Sequence, residues 1–349
     1  ERILLIRPDH LGDTLLTIPA INALRAARPN AEIHVLVGPW SAGALANLPQ
    51  VDAVLTLPFP RFDPDEADSY ASGVQLIRRA RQLRLIGYSS AVILRPDHWW
   101  GAVLAFLAGI PQRIGYDTPE SRPFLTHVIQ HERAHAVRQN LRLVEHWTGP
   151  VDPERVPYAF PCDDTDHAYV DAYLKEWDIE PQQPIFCIHP GSKYWVRQWP
   201  VENWATVADT LTDQLGATAV FTGSDSELSV VQAITAAMQR PACVIAGDTQ
   251  VNQLAALYER ARVVLGPENG PLHLAAAVDT STVALFGPSD PDEFHPWGPR
   301  DRHLVLTSDI GCRPCRVLDW SGDTPDNHPC LREISIGRVL DAARRVTSH

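Results

Sequence analysis

A carboxylate follows the first apolar strand pattern of the chain. The segment RPDHLGD, residues 7–13, ends in Asp13, which stands near the start of the next helical pattern. Gly12 permits a tight turn there, and the positive end of a helix dipole favours the ionised form of a nearby carboxylate. Asp13 could therefore act as a general base, or it could only cap the helix. The segment lacks the G-x-G-x-x-G pattern of dinucleotide-binding loops.

Small and cationic residues follow another apolar strand, in HPGSKYWVRQWP, residues 189–200. Gly191 and Ser192 can offer a backbone N–H group and a hydroxyl to a phosphate. Lys193 and Arg197 add positive charge, and the guanidinium of Arg197 has the fork geometry that suits phosphate oxygens. Because these residue types converge directly after a buried strand, we favour a phosphate-binding loop over a solvated basic loop.

A third strand-to-helix connection, GPENGPLH at residues 266–273, has the same character. The backbone N–H groups of Asn269 and Gly270, at the helix start, could cradle a diphosphate. Glu268 could accept hydrogen bonds from sugar hydroxyls. His273 lies inside the helix and faces either a ligand or the core.

A smaller candidate site is TGSDSE, residues 222–227, which follows another strand of the same half. Asp225 could accept hydrogen bonds from ribose hydroxyls, as acidic residues do in dinucleotide sites. Capping of the next helix by Ser224 or Asp225 is the alternative.

Composition restricts the class of protein. The 349 residues include 30 Lys and Arg against 42 Asp and Glu, which gives a net charge of −12. Nucleic-acid binding depends on neutralising phosphates, so we expect no nucleic-acid partner. The longest apolar run, residues 102–110, is shorter than the ~20 residues that cross a bilayer, and no leader pattern precedes the first strand. We therefore expect a soluble cytoplasmic protein.

Short apolar runs alternate with helical patterns along the chain. Such a succession predicts parallel sheets covered by helices on both faces, with ligands bound beyond the carboxyl ends of the strands. A Pro- and Asp-rich stretch at 151–164 interrupts the series, and a second series follows. We predict an α/β protein with two Rossmann-like doubly wound domains facing a cleft, over residues 1–155 and 156–333. An amphipathic helix in residues 334–349 could pack back on the first domain.

Four blocks, in this order, resemble glycosyltransferase family 9, the heptosyltransferase family, over nearly the whole chain. They are residues 3–23, 93–116, 189–200 and 266–288, and Trp297-Gly298-Pro299 follows the last of them. The first resembles R-x-D-x-x-G-D-x-x-x-x-x-P-A and the last resembles D-S-G-P-x-H-L-A-A-A. The resemblance implies a GT-B fold and inverting transfer of a sugar, usually heptose from ADP-heptose, to a glycan or glycolipid acceptor such as lipopolysaccharide core.

The resemblance also implies roles for individual residues. Asp13 matches the family's proposed base. The donor-binding candidates, all in the second domain, are Gly191, Ser192, Lys193, Arg197, Asp225, Glu268, Asn269, Gly270 and His273. The acceptor-binding candidates, all in the first domain, are His10, Arg95 and Arg113. The family commonly has Asp in place of Glu268 and often Lys in place of Arg197, which leaves the donor sugar open.

We expect no cofactor requirement for catalysis. Asp13 would take the proton of the acceptor hydroxyl as that hydroxyl attacks the anomeric carbon, through a transition state that resembles an oxocarbenium ion. Lys193 and Arg197 would stabilise the leaving diphosphate. Two D-x-D stretches, residues 63–65 and 290–292, resemble those of metal-dependent transferases but lie in Pro-rich turns, and we interpret them as fortuitous.

Three cysteines near the end of the chain have the spacing of a thiolate metal site. Cys312, Cys315 and Cys330 could hold a structural Zn or Fe ion, with His328 or Cys162 as a fourth ligand. Some related heptosyltransferases bind iron through cysteines. Reduced thiols and a Cys312–Cys330 disulfide are the alternatives.

A basic run, formed by Arg78, Arg79, Arg81 and Arg84, lies in a helical pattern of the first half. It is either a solvated helix face or a patch for an anionic lipid-linked glycan, with peripheral contact to the inner membrane.

Three other functions remain open from the sequence. The first is a transferase of the same family with another donor, or with a protein or small-molecule acceptor. The second is a nucleotide-sugar epimerase of similar fold, and the third is a non-catalytic nucleotide-sugar-binding protein.

Overall fold

The computed structural model describes residues 1–59, 69–320, 323–324 and 327–348, with the backbone alone at 69–72. The chain divides into two compact units, Glu1–Tyr158 and Ala159–His349. The division thus falls a few residues beyond the predicted boundary at 155/156, inside the Pro-rich stretch.

The first unit is a parallel sheet with helices. Its described strands are β1 (Arg2–Arg7), β2 (Glu32–Val37), β3 (Ala53–Thr56), β4 (Ser90–Ile93), β5 (Gln112–Tyr116) and β6 (His127–Ile129). Its described helices are α1 (Leu11–Leu15), α2 (Ile18–Ala27), α3 (Ser69–Ile86), α4 (Trp99–Leu107) and α5 (Ala136–Thr148). The strand order is β3-β2-β1-β4-β5-β6. The order reverses between β1 and β4, which is where doubly wound sheets bind ligands.

The second unit repeats this plan. Its described helices are α6 (Asp164–Glu176), α7 (Val201–Leu215), α8 (Leu228–Ala237), α9 (Val251–Arg260), α10 (Gly270–Ala277), α11 (Pro291–Phe294) and α12 (Ile336–Thr347). Its described strands are β7 (Ile185–Ile188), β8 (Thr218–Phe221), β9 (Ala242–Val244), β10 (Ala261–Pro267), β11 (Thr282–Phe286) and β12 (His303–Thr307). The order β12-β11-β10-β7-β8-β9 places the reversal between β7 and β10. The predicted α/β class with two Rossmann-like units, as in the GT-B fold, is confirmed.

Continuous apolar strands bury both of their faces. Every residue of Ile3–Ile6 is inaccessible to solvent, as is every residue of Ile185–Ile188. In the first unit Leu4 and Ile6 pack in one cluster with side chains of α3 and α4, so these two helices cover one face of the sheet. This coverage explains why the strands read as unbroken apolar runs rather than as alternating patterns.

The last helix belongs to the second unit. Val339, Ala343 and Val346 of α12 are buried in the same core cluster as β7, β10 and β11. Upstream of the helix, the indole Nε1 of Trp199 donates to the carbonyl of Ile334 at 3.1 Å. The packing on the first domain that we considered from the sequence is therefore replaced by packing on the second unit's own sheet, which the apolar side of this helix completes.

Within the described ranges, no helix has both the length and the apolar composition needed to cross a membrane.

Candidate active site

Arg7 organises the ligand-binding edge of the first sheet. It is the last residue of β1, its side chain is buried, and its guanidinium donates to the carbonyl of Leu94 just beyond β4. Its Nε lies 2.7 Å from Asp9 Oδ2, and its Nη2 lies 3.2 Å from Asp13 Oδ1. One buried cation therefore joins the ends of the two central strands to the carboxylate that the sequence singles out as a base.

Asp13 is not the cap of its helix. The N-cap of α1 is His10, and Asp13 is the third helical residue, in the first turn. The side chain of Asp13 is 34% exposed, so one side of the carboxylate meets Arg7 while the rest is accessible from outside. The capping interpretation of Asp13 is thus wrong, and an accessible carboxylate at the switch point is what the structure presents.

Asp9 is a buried carboxylate between two arginines. It pairs with Arg7 on one side and with Arg95 on the other. Arg95 also holds Asp97, with Nε 2.5 Å from Oδ1 and Nη2 3.1 Å from Oδ2. Although burial opposes its charge, Asp9 and Asp97 raise the pKa of Arg95 above its ordinary value, so this guanidinium is a fixed cation. The network holds Arg95 at the same edge of the sheet as Asp13.

The three acceptor-binding candidates have different locations. His10 is exposed, and its ring centroid lies 5.9 Å from that of Trp40. Arg95 belongs to the network around Asp9, at the same edge of the sheet as Asp13. Arg113 does not, because it stands at the start of β5, in register with Ala91 of β4 and therefore towards the amino ends of the strands. Its guanidinium is occupied by the carbonyl of Phe124 at 2.6 Å. Ligands bind at the opposite edge of such sheets, so Arg113 is not brought to this site.

Buried polar side chains, linked by hydrogen bonds, support the loop after β7. His189 Nδ1 lies 3.0 Å from the Thr222 hydroxyl, which lies 3.0 Å from the hydroxyl of Tyr258. On its other side, His189 Nε2 lies 3.4 Å from Glu227 Oε2. Gly191 packs so close to Glu227 that an added Cβ would stand 2.1 Å from Oε1. A side chain added at this position would therefore displace the Glu227 carboxylate or the loop.

Glu268, directly after β10, is a buried carboxylate with one oxygen engaged. Its Oε1 accepts from the backbone N–H groups of Gly287 at 3.0 Å and Ser289 at 3.3 Å. Its Oε2 is buried and has no hydrogen-bond partner among the described residues. Burial raises the pKa of Glu268, against the opposing charge of Arg197, whose Nε lies 3.7 Å away. An unsatisfied buried carboxylate oxygen is costly, and a ligand hydroxyl could satisfy it.

The two cations of the loop share one aromatic ring. Arg197 Nη2 donates to the Ser289 hydroxyl at 2.6 Å, which ties the loop after β7 to the loop after β11. The guanidinium carbon of Arg197 lies 5.8 Å from the centroid of Tyr194, and Nζ of the exposed Lys193 lies 5.7 Å from it. The charge of Arg197 therefore stands beside Glu268, and the exposed Lys193 follows the half-buried Ser192 in the chain.

Asn269 joins this loop to the start of α10. It is the N-cap of that helix, whose first residue is Gly270. Its Nδ2 donates to the carbonyls of His189 at 3.3 Å and Gly191 at 3.0 Å. The structure thus brings together the loop at 189–197, Glu268, Asn269 and Gly270 at the switch point of the second sheet, as the sequence predicts.

Two donor-site candidates lie outside this group of residues. Asp225 is exposed beyond β8, where an added Cβ on Gly247 would approach its Oδ1 to 2.4 Å. His273 is buried in α10, and burial lowers its pKa to about 3, with His295 and His303 adding to the effect. His273 is therefore neutral at pH 7 and belongs to the interior of the unit.

Sequence reasoning missed two residues that position the sites. Asn140 of α5 donates to the carbonyl of Leu16 at 3.0 Å and accepts from Arg7 at 3.4 Å. Glu227, as described, anchors the loop after β7. Both act through contacts that are remote in sequence; a buried polar residue in an otherwise apolar helix stripe was the available signal for Asn140.

The cysteines do not form the expected metal site. Across the described ranges, no group of three His, Cys, Asp or Glu side chains could hold a metal ion, and all six cysteines are free thiols. Cys330 is buried while Cys312 is exposed. Of the proposed fourth ligands, His328 pairs with Asp323 at 2.8 Å. The described residues therefore do not form the metal site or the Cys312–Cys330 disulfide that the spacing allows.

Of the two D-x-D stretches, residues 63–65 lie outside the described residues. In the other, Asp290 caps α11 by accepting from the Asp292 N–H at 3.0 Å, and it pairs with Arg316 at 2.9 Å. These contacts give Asp290 a structural role.

Comparisons with known proteins agree with this architecture. The model of glycosyltransferase family 9 (heptosyltransferase) matches residues 76–321. Lipopolysaccharide heptosyltransferase 2 of Escherichia coli K12 is 24% identical, over 97% of each chain. The solved glycosyltransferase family 9 structure from Veillonella parvula has a TM-score of 0.85 at 24% identity, over 100% of this chain and 97% of that one. The solved E. coli ADP-heptose LPS heptosyltransferase II has a TM-score of 0.79 at 22% identity, over 100% and 99%.

Proposed function

Because the chain belongs to glycosyltransferase family 9 and is a glycosyltransferase, we propose that it transfers heptose from ADP-heptose to a glycan or glycolipid acceptor such as lipopolysaccharide core. The donor assignment is supported by the similarity over the full chain to an E. coli heptosyltransferase whose name includes ADP-heptose. The acceptor assignment is supported by the lipopolysaccharide heptosyltransferase among its relatives.

The second unit binds the donor in this proposal. Ser192, Lys193 and Arg197 contact the diphosphate together with the N–H groups at the start of α10, because cations and helix-start amides are the groups that stabilise phosphate oxygens. Asp225, exposed beyond β8, accepts from the ribose hydroxyls. Glu268 offers its unsatisfied Oε2 to a hydroxyl of the sugar.

The first unit supplies the base and the acceptor site. The Asp13 carboxylate takes the proton of the acceptor hydroxyl while that oxygen forms a bond to the anomeric carbon. The bond from the anomeric carbon to the diphosphate breaks in the same displacement, ADP leaves with its added negative charge, and the configuration inverts. His10 and Arg95 lie at the same edge as Asp13 and bind the acceptor, with Arg95 suited to an anionic group.

A lipid-linked acceptor would bring the enzyme to the cytoplasmic surface of the inner membrane, where we propose that it acts as a peripheral protein. The observation that carries the whole proposal is the accessible carboxylate of Asp13, held 3.2 Å from the buried Arg7 at the switch point of the first sheet.

The experiment compares Asp13→Asn with the wild type, using Glu120→Gln, an exposed carboxylate of the same unit, as a matched control. Calorimetry measures binding of ADP-heptose against ADP and against UDP-, GDP- and dTDP-sugars. Turnover is measured with truncated lipopolysaccharide core, and the anomeric configuration of the product is read by NMR. We expect selective ADP-heptose binding by all three proteins, an inverted product, and a loss of turnover of roughly 10²–10⁴-fold in Asp13→Asn alone.

Each outcome has a separate meaning. Preference for another nucleotide sugar overturns the heptose assignment. Selective donor binding without turnover of any acceptor by the wild type favours a non-catalytic binder. Full activity of Asp13→Asn removes Asp13 as the base.

A further inference from the structure

Exposed apolar side chains concentrate on one helix layer of the first unit. Among the described residues, large apolar side chains are exposed at eight positions, and five of these lie on α3 and α4. Leu85 is 88% exposed, Val74 is 56% exposed and Ile77 is 51% exposed on α3. Trp99 and Phe106 are exposed on α4, seven positions apart and so on one side of that helix. Contiguous exposed apolar surface on a globular protein marks a binding surface.

Arginines are interleaved with these side chains. On α3 the exposed Arg78 and Arg81 stand between Val74 and Leu85, and the spacings of four, three and four residues place all of them on one side of the helix. We define the α3–α4 face as Val74, Ile77, Arg78, Arg81, Leu85, Trp99 and Phe106.

The two helices form one continuous layer. The opposite side of each helix is buried in the same core cluster, with Leu83 from α3 and Leu104 from α4. Arg84 Nη2 donates to the carbonyl of Leu107 at 2.8 Å, which fixes the end of α3 to the end of α4. The α3–α4 face is therefore a rigid outer surface of the sheet layer.

Charge identifies what this face fits. Neither 69–86 nor 99–107 contains Asp or Glu, while α3 contains four arginines, in a chain whose net charge is −12. Arg113 adds a further cation, with its guanidinium carbon 5.5 Å from the centroid of Phe106. Apolar side chains among arginines, without carboxylates, match the headgroup region of an anionic bilayer, where apolar groups enter the acyl boundary and cations meet phosphates.

We propose that the α3–α4 face docks on an anionic phospholipid bilayer. The inference rests on the proposed glycolipid acceptor for its purpose, since it names the surface that would bring the enzyme to that acceptor. Trp99 begins α4 two residues after Asp97, whose carboxylate holds Arg95. Docking would thus hold the rim of the first unit's site next to the headgroups.

The test measures co-sedimentation of the full chain with vesicles of phosphatidylcholine alone and with vesicles that contain 30% phosphatidylglycerol. Neither donor nor acceptor is present. We expect binding to the anionic vesicles alone, and loss of binding at high salt, since salt screens exposed charges. Arg78→Gln combined with Arg81→Gln should weaken partitioning by about thirtyfold, or about fivefold for each arginine. Leu85→Ser should weaken it by about tenfold.

Matched controls come from the second unit. Arg344→Gln with Arg345→Gln changes two exposed arginines of α12, and Val317→Ser changes an exposed apolar side chain. We expect both to bind vesicles like the wild type. ADP-heptose binding by every variant, measured by calorimetry, keeps the test separate from the proposed function.

Three results would overturn the inference. One is wild-type binding that does not distinguish the two vesicle types, and another is equal loss in the face and control variants. The third is a lipid-free dimer in sedimentation velocity that the face variants abolish, since that would assign this face to a second copy of the chain. If the wild type binds neither vesicle type but still binds ADP-heptose, the docking inference is wrong and the transferase assignment is unaffected.

Discussion

Glu227→Gln should lower the free energy of unfolding of the second unit by an amount that depends on pH. Glu227 Oε2 lies 3.4 Å from His189 Nε2 and accepts from the Ser224 N–H at 2.8 Å and the Ser224 hydroxyl at 2.9 Å. Burial alone would raise the pKa of this carboxyl, but the hydrogen bond and charge of His189, with the two Ser224 donors, lower it to about 2. The glutamine keeps the shape and removes the charge.

The sign and size of the effect follow from linkage. A carboxyl whose pKa is lower in the folded than in the unfolded state adds stability above its unfolded pKa, and this stability is lost as the pH falls through the folded pKa. The lowering from 4.5 to about 2 corresponds to about 3 kcal/mol at most. Since the side chain is 20% exposed, solvent screening reduces this, and we expect about 1–2 kcal/mol at pH 7.

The measurement is urea unfolding of the wild type and Glu227→Gln at a series of pH values from 7 to 3. Glu180→Gln, which changes an exposed carboxylate outside the helices of the same unit, is the control and should match the wild type throughout. The stability difference caused by Glu227→Gln should shrink to less than about half by pH 3. A difference that stays constant over this range, or that is absent at pH 7, would refute the reasoning.

Three further changes probe the two sites. Asp9→Ala leaves the buried Arg7 and the half-buried Arg95 without their shared carboxylate and should lower the free energy of unfolding by about 3–5 kcal/mol. A loss below about 1 kcal/mol in urea titration would contradict the buried pairing. Gly191→Ala places a Cβ 2.1 Å from Glu227 Oε1, so either the Glu227 carboxylate or the loop must shift, and either shift disturbs the anchoring of the loop. The affinity for ADP-heptose measured by calorimetry should fall by about tenfold, and unchanged affinity would show that the loop does not contribute to donor binding. Asn269→Ala should lower the free energy of unfolding by about 1 kcal/mol and also weaken donor binding. Asn269→Asp should keep the helix cap but lose the hydrogen bonds that Nδ2 donates to the loop, so equal stability of the two variants would argue against the capping role.

The sequence was sufficient to predict an element where one physical signal dominated. The four apolar residues 185–188 form β7 residue for residue, because strands buried on both faces need unbroken apolar sequence. The elements that were not predicted include β5, which opens with Gln112 and Arg113, and α4, whose apolar sequence was noticed only as too short for a membrane span. Short runs of this kind do not distinguish a buried helix from a strand.

Site residues, too, could be predicted where one physical signal dominated. Glu268 and the loop at 189–197 each follow a strand of the second unit, so the sequence places both at the carboxyl edge of that sheet, where ligands bind. Arg113 was misassigned because similarity to a block of sequence does not say at which end of its strand a residue stands. Glu227 was missed because the loop that it anchors, through His189, is remote in sequence. Asn140 was missed although it is a polar residue in an otherwise apolar helix stripe, because its partner Leu16 is also remote.

The location of α12 has a consequence for how this protein can diverge. Since the last helix completes the second sheet, each unit is one uninterrupted stretch of chain, divided at Tyr158 and Ala159. A single recombination event at that junction exchanges an entire sheet with its own switch point. With the acceptor bound by the first unit and the donor by the second, as we propose, the two preferences could evolve as separate modules, and a chimera joined there would inherit one preference from each parent.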